Sequence, residues 1–380
     1  MPDTNFTHPM RKWEDILTIV SGKNQKNVET DNGQYPIYGS GGIIGRANAF
    51  LCEAGTTIVG RKGTINSPIY VNERFWNVDT AFGIVPGPEL LPKFLYYFCR
   101  HFNFKDLDKS TTIPSLAKRD LLAIKMVVPS LPEQERIVAR IEELFSELDK
   151  SVETLNTTKQ QLAVYRQAVI STSFPELTSS NSVRLDEIAE ISGGITKGRD
   201  LSQQKTITLP YLRVANVQNG YLDLSQMKDI EVKLNEVDKY LLQEGDVLYT
   251  EGGDRDKLGR GTVWKNEIPR CVHQNHVFKA RLNQERALPQ YVAYWSMSVY
   301  ARDYFFKKGK QSVNLASINK TVLSALILPM PSLEEQASII NNIESCLSVC
   351  DQIEKTIEQS LQQAEALRQS ILKQAFEGRL

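Results

Sequence analysis

The sequence predicts an α+β fold. Two mixed α/β domains with small twisted sheets are separated by a pair of long antiparallel α-helices forming a coiled-coil spacer, and the whole is an internal pseudo-two-fold repeat. Three observations carry this expectation. The stretch from Leu131 to Phe174 recurs 202 positions later, both copies have helical apolar spacing, and the segments between them are short β-rich runs broken by glycine.

The repeat is residue by residue. Pro129-Ser130-Leu131 falls on Pro331-Ser332-Leu333, Glu133-Gln134 on Glu335-Gln336, Asp149 on Asp351, Arg166-Gln167 on Arg368-Gln369 and Phe174 on Phe376. Apolar residues recur at Ile137, Ile141, Leu144, Leu148, Val152, Leu155, Leu162, Tyr165 and Val169, a narrow seam rather than a full core face. The second copy supplies Ile339, Ile343, Cys346, Cys350, Ile353, Ile357, Leu361, Ala364, Leu367 and Ile371. Each helix opens after Pro-Ser-Leu with glutamates in its first turn, as the helix dipole favours, and the first stops near Phe174-Pro175. About 40 residues at ~1.5 Å each give a rod of roughly 60 Å. Each seam finds its partner in the other copy. A compact segment joins the end of the first helix to the start of the second, so the pair is antiparallel.

Four segments follow: 1–128 and 177–330 are globular, and 129–176 and 331–380 are the helical arms. In the first globular segment, Trp13–Leu17 is an amphipathic start. Tyr35–Gly45 and Thr56–Ile65 are β-formers cut by glycine, Pro92–Phe102 reads as a helix, and Ile124–Val128 is a last strand. In the second, Leu185–Ile188 answers Trp13–Ile16, and Tyr291–Phe305 reads as one helix answering Pro92–Phe102. Ser317, Lys320 and Leu326–Pro329 answer Ser115, Lys118 and Ile124–Val127. The middles diverge: Tyr211–Asn216 and Asp246–Thr250 read as strands, and between Thr250 and Thr262 lies a long charged loop, Glu251–Gly261. A repeated frame with unlike loops suggests one reader in two versions.

The chain of 380 residues carries no formal net charge. That balance conceals +3 on residues 1–132, −2 on 133–174, +3 on 175–333 and −4 on 334–380, so the domains are mildly basic and the rods acidic. Five cysteines without a Cys-x-x-Cys pair indicate neither a disulfide framework nor a zinc ribbon. A reduced cytoplasm fits. No membrane association is expected, since no apolar run reaches spanning length and the N-terminus has no signal-peptide pattern.

Gly39–Gly45 lacks the spacing and the following helix of a dinucleotide-binding turn, and no phosphate-binding loop of the G-x-x-x-x-G-K-[ST] type occurs. Cys271-x-His273-x-x-His276 has metal-ligand residue types but no fourth partner, so no metal site is expected. Asp223 with Glu231 and Lys233 admits a Mg-dependent nuclease as a competing reading, and a coiled-coil adaptor that binds no DNA is a third. What remains are loops rich in groups that read bases and hold phosphates. They are Arg61-Lys62, Lys109, Thr111 and Thr112, Lys197, Arg199, Arg255, Lys257, Arg260, Gln274-Asn275-His276, Lys308, Lys310, Gln311 and Asn314. Glu135, Glu142, Gln167, Glu344 and Gln369 are expected on outward helix faces as docking residues.

Tyr35–Gly42, Gly60-Arg61-Lys62-Gly63, Asn77–Phe82, Gly245–Leu248 and the twice-used Pro-Ser-Leu-x-Glu-Gln together resemble the DNA-specificity subunit of type I restriction-modification systems. The resemblance covers nearly the whole chain and makes the globular segments target-recognition domains reading an asymmetric bipartite site on double-stranded DNA. It implies a subunit without catalytic residues of its own. Two adenine-N6 methyltransferase subunits would dock on the rods and restriction/translocase subunits would join them, with S-adenosylmethionine, ATP and Mg bound on those partners. The lack of Asn-Pro-Pro-Tyr or Asp-Pro-Pro-Tyr and of helicase motifs agrees. A ~60 Å rod is roughly 18 base pairs, enough to set half-site spacing.

Overall fold

In this computed structural model residues 9–253, 258–311 and 316–380 are described. The chain divides into two compact units, residues 1–156 with 357–380, and residues 157–356.

In the first unit the order is β1 (Met10–Lys12), α1 (Trp13–Ile16), β2 (Leu17–Ser21), β3 (Tyr35–Gly39), β4 (Gly42–Ala47), β5 (Thr56–Gly60), β6 (Ile69–Val71), β7 (Trp76–Asn77), β8 (Ala81–Pro86), α2 (Pro92–His101), α3 (Lys118–Leu122) and β9 (Lys125–Val127), and then α4 (Leu131–Thr172) begins. One sheet runs β2-β8-β5-β6, a second runs β4-β3-β7, and β1 pairs with β9. The β3–β4 hairpin turns at Gly42, whose φ of 131° is a backbone conformation that only glycine adopts at little cost. The β-run expected to reach Ile65 ends at Gly60, because Arg61–Gly63 leaves the sheet and Gly63, at φ 79°, turns the chain against Pro114.

The second unit contains β10 (Ser182–Arg184), β11 (Ala189–Gly193), β12 (Thr206–Leu212), β13 (Lys228–Lys233), α5 (Val237–Tyr240), β14 (Val247–Thr250), β15 (Gly252–Gly253), β16 (Gly261–Val263), β17 (Val272–His273), β18 (Val277–Leu282), α6 (Pro289–Met297), α7 (Val299–Lys308), β19 (Lys310–Gln311), β20 (Ala316–Ser317), α8 (Lys320–Ser324), β21 (Ile327–Pro329) and the start of α9 (Leu333–Phe376). Its sheets run β11-β18-β14-β16 and β13-β12-β17, with β10 on β21. These repeat the first unit strand for strand. Even the parallel pairing recurs, Ile37 beside Trp76 and Tyr211 beside Val272. The middles therefore share one topology, against the divergence expected from sequence; unequal loop lengths hide it. Among the described residues, the small sheet β15-β20-β19 is the one sheet added.

Two further expectations change. The helix expected over Tyr291–Phe305 is two, α6 and α7, broken at Ser298, whose extended backbone and hydroxyl cap α7 by accepting from the Ala301 amide. The strand expected over Tyr211–Asn216 stops at Leu212, because the Asn216 side chain accepts from the Arg213 amide and tightens a 3-10 turn.

The long helices pair antiparallel within each unit. In the first, Arg136 donates to the Leu380 carbonyl at 3.1 Å and Arg368 meets Asp149. In the second, Arg166 meets Asp351 at 2.6 Å and Glu354 at 3.1 Å. The residues matched by the repeat are thus the residues that bond across it. Ile137, Ile141, Leu162, Ile343, Cys350, Ile357 and Ile371 are buried, whereas Tyr165, Ile353 and Leu367, expected on the seam, are 53%, 40% and 49% exposed. The helical period of 3.6 drifts off a strict seam, so residues at its edges turn outward.

Each arm is anchored at both ends. Gln134 is wholly buried; its Oε1 accepts from the Leu91 amide at 2.8 Å and its Nε2 donates to the carbonyls of Glu89 and Pro129. Gln336 repeats this with the Leu288 amide and the carbonyls of Arg286 and Pro331. Leu91 and Leu288 are the N-caps of α2 and α6, so one glutamine ties a rod to its own domain's helix and pairs one amide and two carbonyls of the chain segments that lead into the two helices. At the far ends Phe376 packs on Phe94 and Phe98 of the first unit, and Phe174 on Tyr291 and Trp295 of the second.

Candidate nucleic-acid interface

In the first unit the sequence-selected cations converge. The Arg61 amide donates to the Thr80 carbonyl, the Leu116 amide to the Arg61 carbonyl and the Gly63 amide to the Pro114 carbonyl, so two loops are stitched side by side. Between them lies a pocket of about 520 Å³ lined by Arg61, Lys62, Lys109, Ser110, Ser115 and Lys118, with Phe82 and Asp120. Arg61 lies 5.8 Å from the Phe82 ring, and Lys109 pairs with Asp120 at 3.0 Å. The hydrogen bond from Lys109 holds the Asp120 carboxyl below the usual carboxylate range. The Lys109 side chain is largely exposed, so water screens the pair and it contributes little to stability. Asp108 accepts from the Ser110 hydroxyl and amide and the Ser115 amide, shaping the loop that exposes Thr111 and Thr112. Lys118 is committed to the Ile19 carbonyl at 2.7 Å.

In the second unit the equivalent turn holds Gln274-Asn275-His276. The amides of Gln274 and Asn275 donate to the carbonyls of Leu212 and Ile195, and His276 Nδ1 lies 2.5 Å from Glu251 Oε2. Arg260 Nη1 donates to Gln218 Oε1 at 3.2 Å. Lys197, Lys308 and Lys310 are exposed. Arg199 is engaged inside the unit, donating to Glu236 at 2.7 Å and holding that carboxyl below its usual range. The backbone of Gln311 pairs with Ala316, while Arg255, Lys257 and Asn314 lie outside the described residues.

Two residues of the chemistry-bearing motifs are structural. His273 is fully buried, its Nδ1 donates to the Val277 carbonyl at 2.7 Å, and burial pulls its pKa down to about 4. Asp246 is buried, accepts from the Gln243 amide and forms a two-point pair with Arg281. Asp223 caps its own turn through Ser225, and no group of three His, Cys, Asp or Glu suited to a metal occurs among the described residues.

The five expected docking residues differ in placement. Glu135 and Gln369 are exposed. Glu142 faces its own unit, accepting from Lys93 at 2.6 Å and from the Tyr97 hydroxyl, and Glu344 accepts from Tyr294 likewise. Gln167 donates to the Met297 carbonyl and accepts from Arg302. Glu344 stays exposed, whereas Glu142 and Gln167 are half-buried, because the helices that follow the sheets pack onto this face of the rods.

Sequence reasoning gave no site role to Thr80, Glu251 or Gln218. The signal was the match of Asn77–Phe82 to His273–Phe278: Asn77 Nδ2 donates to the Ala81 carbonyl as His273 does to that of Val277, and the Val78 and Gln274 amides both donate to the strand alongside.

The fold and its loops define a class: an internally repeated α+β protein with two like frames, each presenting its own polar loops. The sequence profile described as the type I restriction modification DNA specificity domain matches residues 9–162 and 179–363. The type I restriction enzyme EcoKI specificity subunit of Escherichia coli K12 is 25% identical over 327 residues, 80% of this chain and 69% of that one. A chain from a structure titled for complex assembly and conformational transition of the type I R-M system superposes with a TM-score of 0.73 at 17% identity, covering 99% of this chain and all of that one. The HsdS subunit from Thermoanaerobacter tengcongensis gives 0.58 at 17% identity, with both chains covered in full. The chain belongs to the family of type I restriction-modification DNA-specificity subunits.

Proposed function

We propose that the chain reads a bipartite, asymmetric DNA site for a type I complex, with residues 1–128 and 177–330 as target-recognition domains and 129–176 and 331–380 as the spacer. One observation carries the reading: the same backbone frame occurs twice and bears different polar side chains at the same loop positions. A duplicated scaffold with unlike loops suits two half-sites of unlike sequence. The cations around the pocket at Arg61 and the exposed Lys197, Lys308 and Lys310 suit phosphates, while Arg260, Gln274 and Asn275 suit base edges. The chain does no chemistry itself. Two methyltransferase subunits with S-adenosylmethionine, and restriction/translocase subunits with ATP and Mg, bind the helical arms in the cytoplasm, and Glu135, Glu344 and Gln369 are the exposed docking residues among those predicted.

The test is to express the chain with its methyltransferase partners in a methylation-free host and map N6-methyladenine in the DNA. A split motif of two unlike halves is expected, and the Arg260→Ala variant relaxes one half at about 1–3 kcal/mol if it contacts a base; a phosphate contact instead weakens all sequences evenly. Cleavage of DNA by the chain alone with Mg²⁺, or the absence of any split motif, defeats the reading.

A further inference from the structure

Glu251 and Arg61 hold the same place in the repeated frame. The Arg61 amide donates to the Thr80 carbonyl and its carbonyl accepts from the Leu116 amide; the Glu251 amide donates to the His276 carbonyl and its carbonyl accepts from the Ile318 amide. Thr80 and His276 are themselves mates, each three residues beyond Asn77 or His273 in a turn with the same backbone bonds. With amide and carbonyl committed alike, both side chains leave the frame at the same point. One is a cation, the other an anion.

We propose that this is a base-reading position whose opposite charge distinguishes the two half-sites: Arg61 selects guanine, and Glu251 selects a base with an exocyclic amino group, cytosine or adenine. The inference rests on the DNA-reading function proposed above and names residues for it. Guanine offers two acceptors, O6 and N7, to the major groove, and a guanidinium is a fork of donors; a carboxylate only accepts, and the donors there are the amino groups of cytosine and adenine. A phosphate contact would explain Arg61 but not Glu251, which phosphates repel. Cations for the backbone stand beside Arg61 in any case, in Lys62 and Lys109. His276 Nδ1, 2.5 Å from Glu251 Oε2, holds the carboxylate in place, and Asn275 Nδ2 lies 3.4 Å from the other ring nitrogen, so three side chains of the second unit form one linked group. That link is what a fixed acceptor needs to discriminate between bases.

The experiment uses the full chain with its methyltransferase partners and reads the methylated motif of the wild type, Arg61→Ala, Glu251→Ala, Glu251→Gln and Glu251→Arg. Arg61→Ala is expected to lose a guanine in one half-site only, and Glu251→Ala a cytosine or adenine in the other only, each discrimination falling roughly ten- to hundred-fold. Glu251→Gln separates the two bases: glutamine pairs with adenine N6 and N7, so preference persists at an adenine and is lost at a cytosine. Glu251→Arg moves the position toward guanine. Gln is isosteric with Glu, so it also serves if the alanine variant does not fold. A wild-type motif left unchanged by Glu251→Gln and Glu251→Arg overturns the inference, as does an equal loss at both half-sites; a wild type without a split motif instead overturns the DNA-reading function itself.

Discussion

Asn77 and His273 show how one place in a frame is filled by two chemistries with different consequences. Both side chains donate to the carbonyl four residues on, at 3.1 Å and 2.7 Å. Asparagine does not titrate in this range. His273 does, and burial lowers its pKa to about 4 from the ordinary 6.5, with Lys279 and Arg281 nearby adding to the shift and Asp246 opposing it. The unfolded chain therefore binds the extra proton first, so stability is whole above about pH 6.5 and is lost as the pH falls towards 4. The full effect is about 3 kcal/mol at ~1.36 kcal/mol per unit. Urea unfolding at pH 7.5 and pH 5 is expected to show a larger acid loss in the wild type than in His273→Asn, which copies the first unit. Because burial also lowers the pKa of His101, the wild type and the variant share a residual acid loss. An acid loss of equal size in both proteins refutes this account of His273.

At the scale of elements, the repeat is legible in the rods and at the two ends of each domain but not in the domain middles, for a simple reason. Gln134 and Gln336 are 202 positions apart, Leu91 and Leu288 are 197, Asn77 and His273 are 196, and Arg61 and Glu251 are 190. A helix tolerates no insertion without losing its face, so the offset stays fixed along the arms; loops absorb insertions, and the offset slides through each domain. The pairing register restores it, since backbone bonds do not depend on loop length. Sequence periodicity likewise placed α4 and α9 but set Tyr165, Ile353 and Leu367 on a seam from which the helix period turns them away. It also marked Glu-Gln as a helix start without showing that the glutamine is a three-bond clamp. Gln336→Ala leaves the Leu288 amide and the carbonyls of Arg286 and Pro331 without that partner. Each unpaired buried group costs ~1–3 kcal/mol, so a loss on the order of 3 kcal/mol is expected in chemical unfolding, and an equal one for Gln134→Ala. Ala at the exposed Gln369 is the control. A denaturation midpoint that matches the control for either clamp variant shows that water replaces the clamp and that the arms are held by packing alone.

The whole molecule is a test of whether two frames work independently. The sequence suggests exchanging residues 185–316 for the matching domain of a related subunit, but Ala316 lies inside β20, bonded to Gly253 and Gln311, so that junction cuts a sheet. The structure offers a better one. The Leu185 amide donates to the Leu326 carbonyl at 2.9 Å, immediately inside the β10–β21 pair where Arg184 faces Ile327, so residues 185–326 leave and return at adjacent points. The exchange then carries the core of Tyr249, Tyr291, Phe305 and Leu323 as one piece and leaves Gln336 in the receiving chain, where its partners at positions 286 and 288 are backbone groups that any matching domain supplies. In the methylated motif of the hybrid, one half is expected to become that of the donor, with the other half and the spacing unchanged. The hybrid cut at 316 is expected to be less stable and to give less methylation for the same change of motif. A hybrid with an intact β10–β21 junction that altered both halves together would mean that each frame depends on the other, and the duplicated backbone would then record ancestry without independent reading.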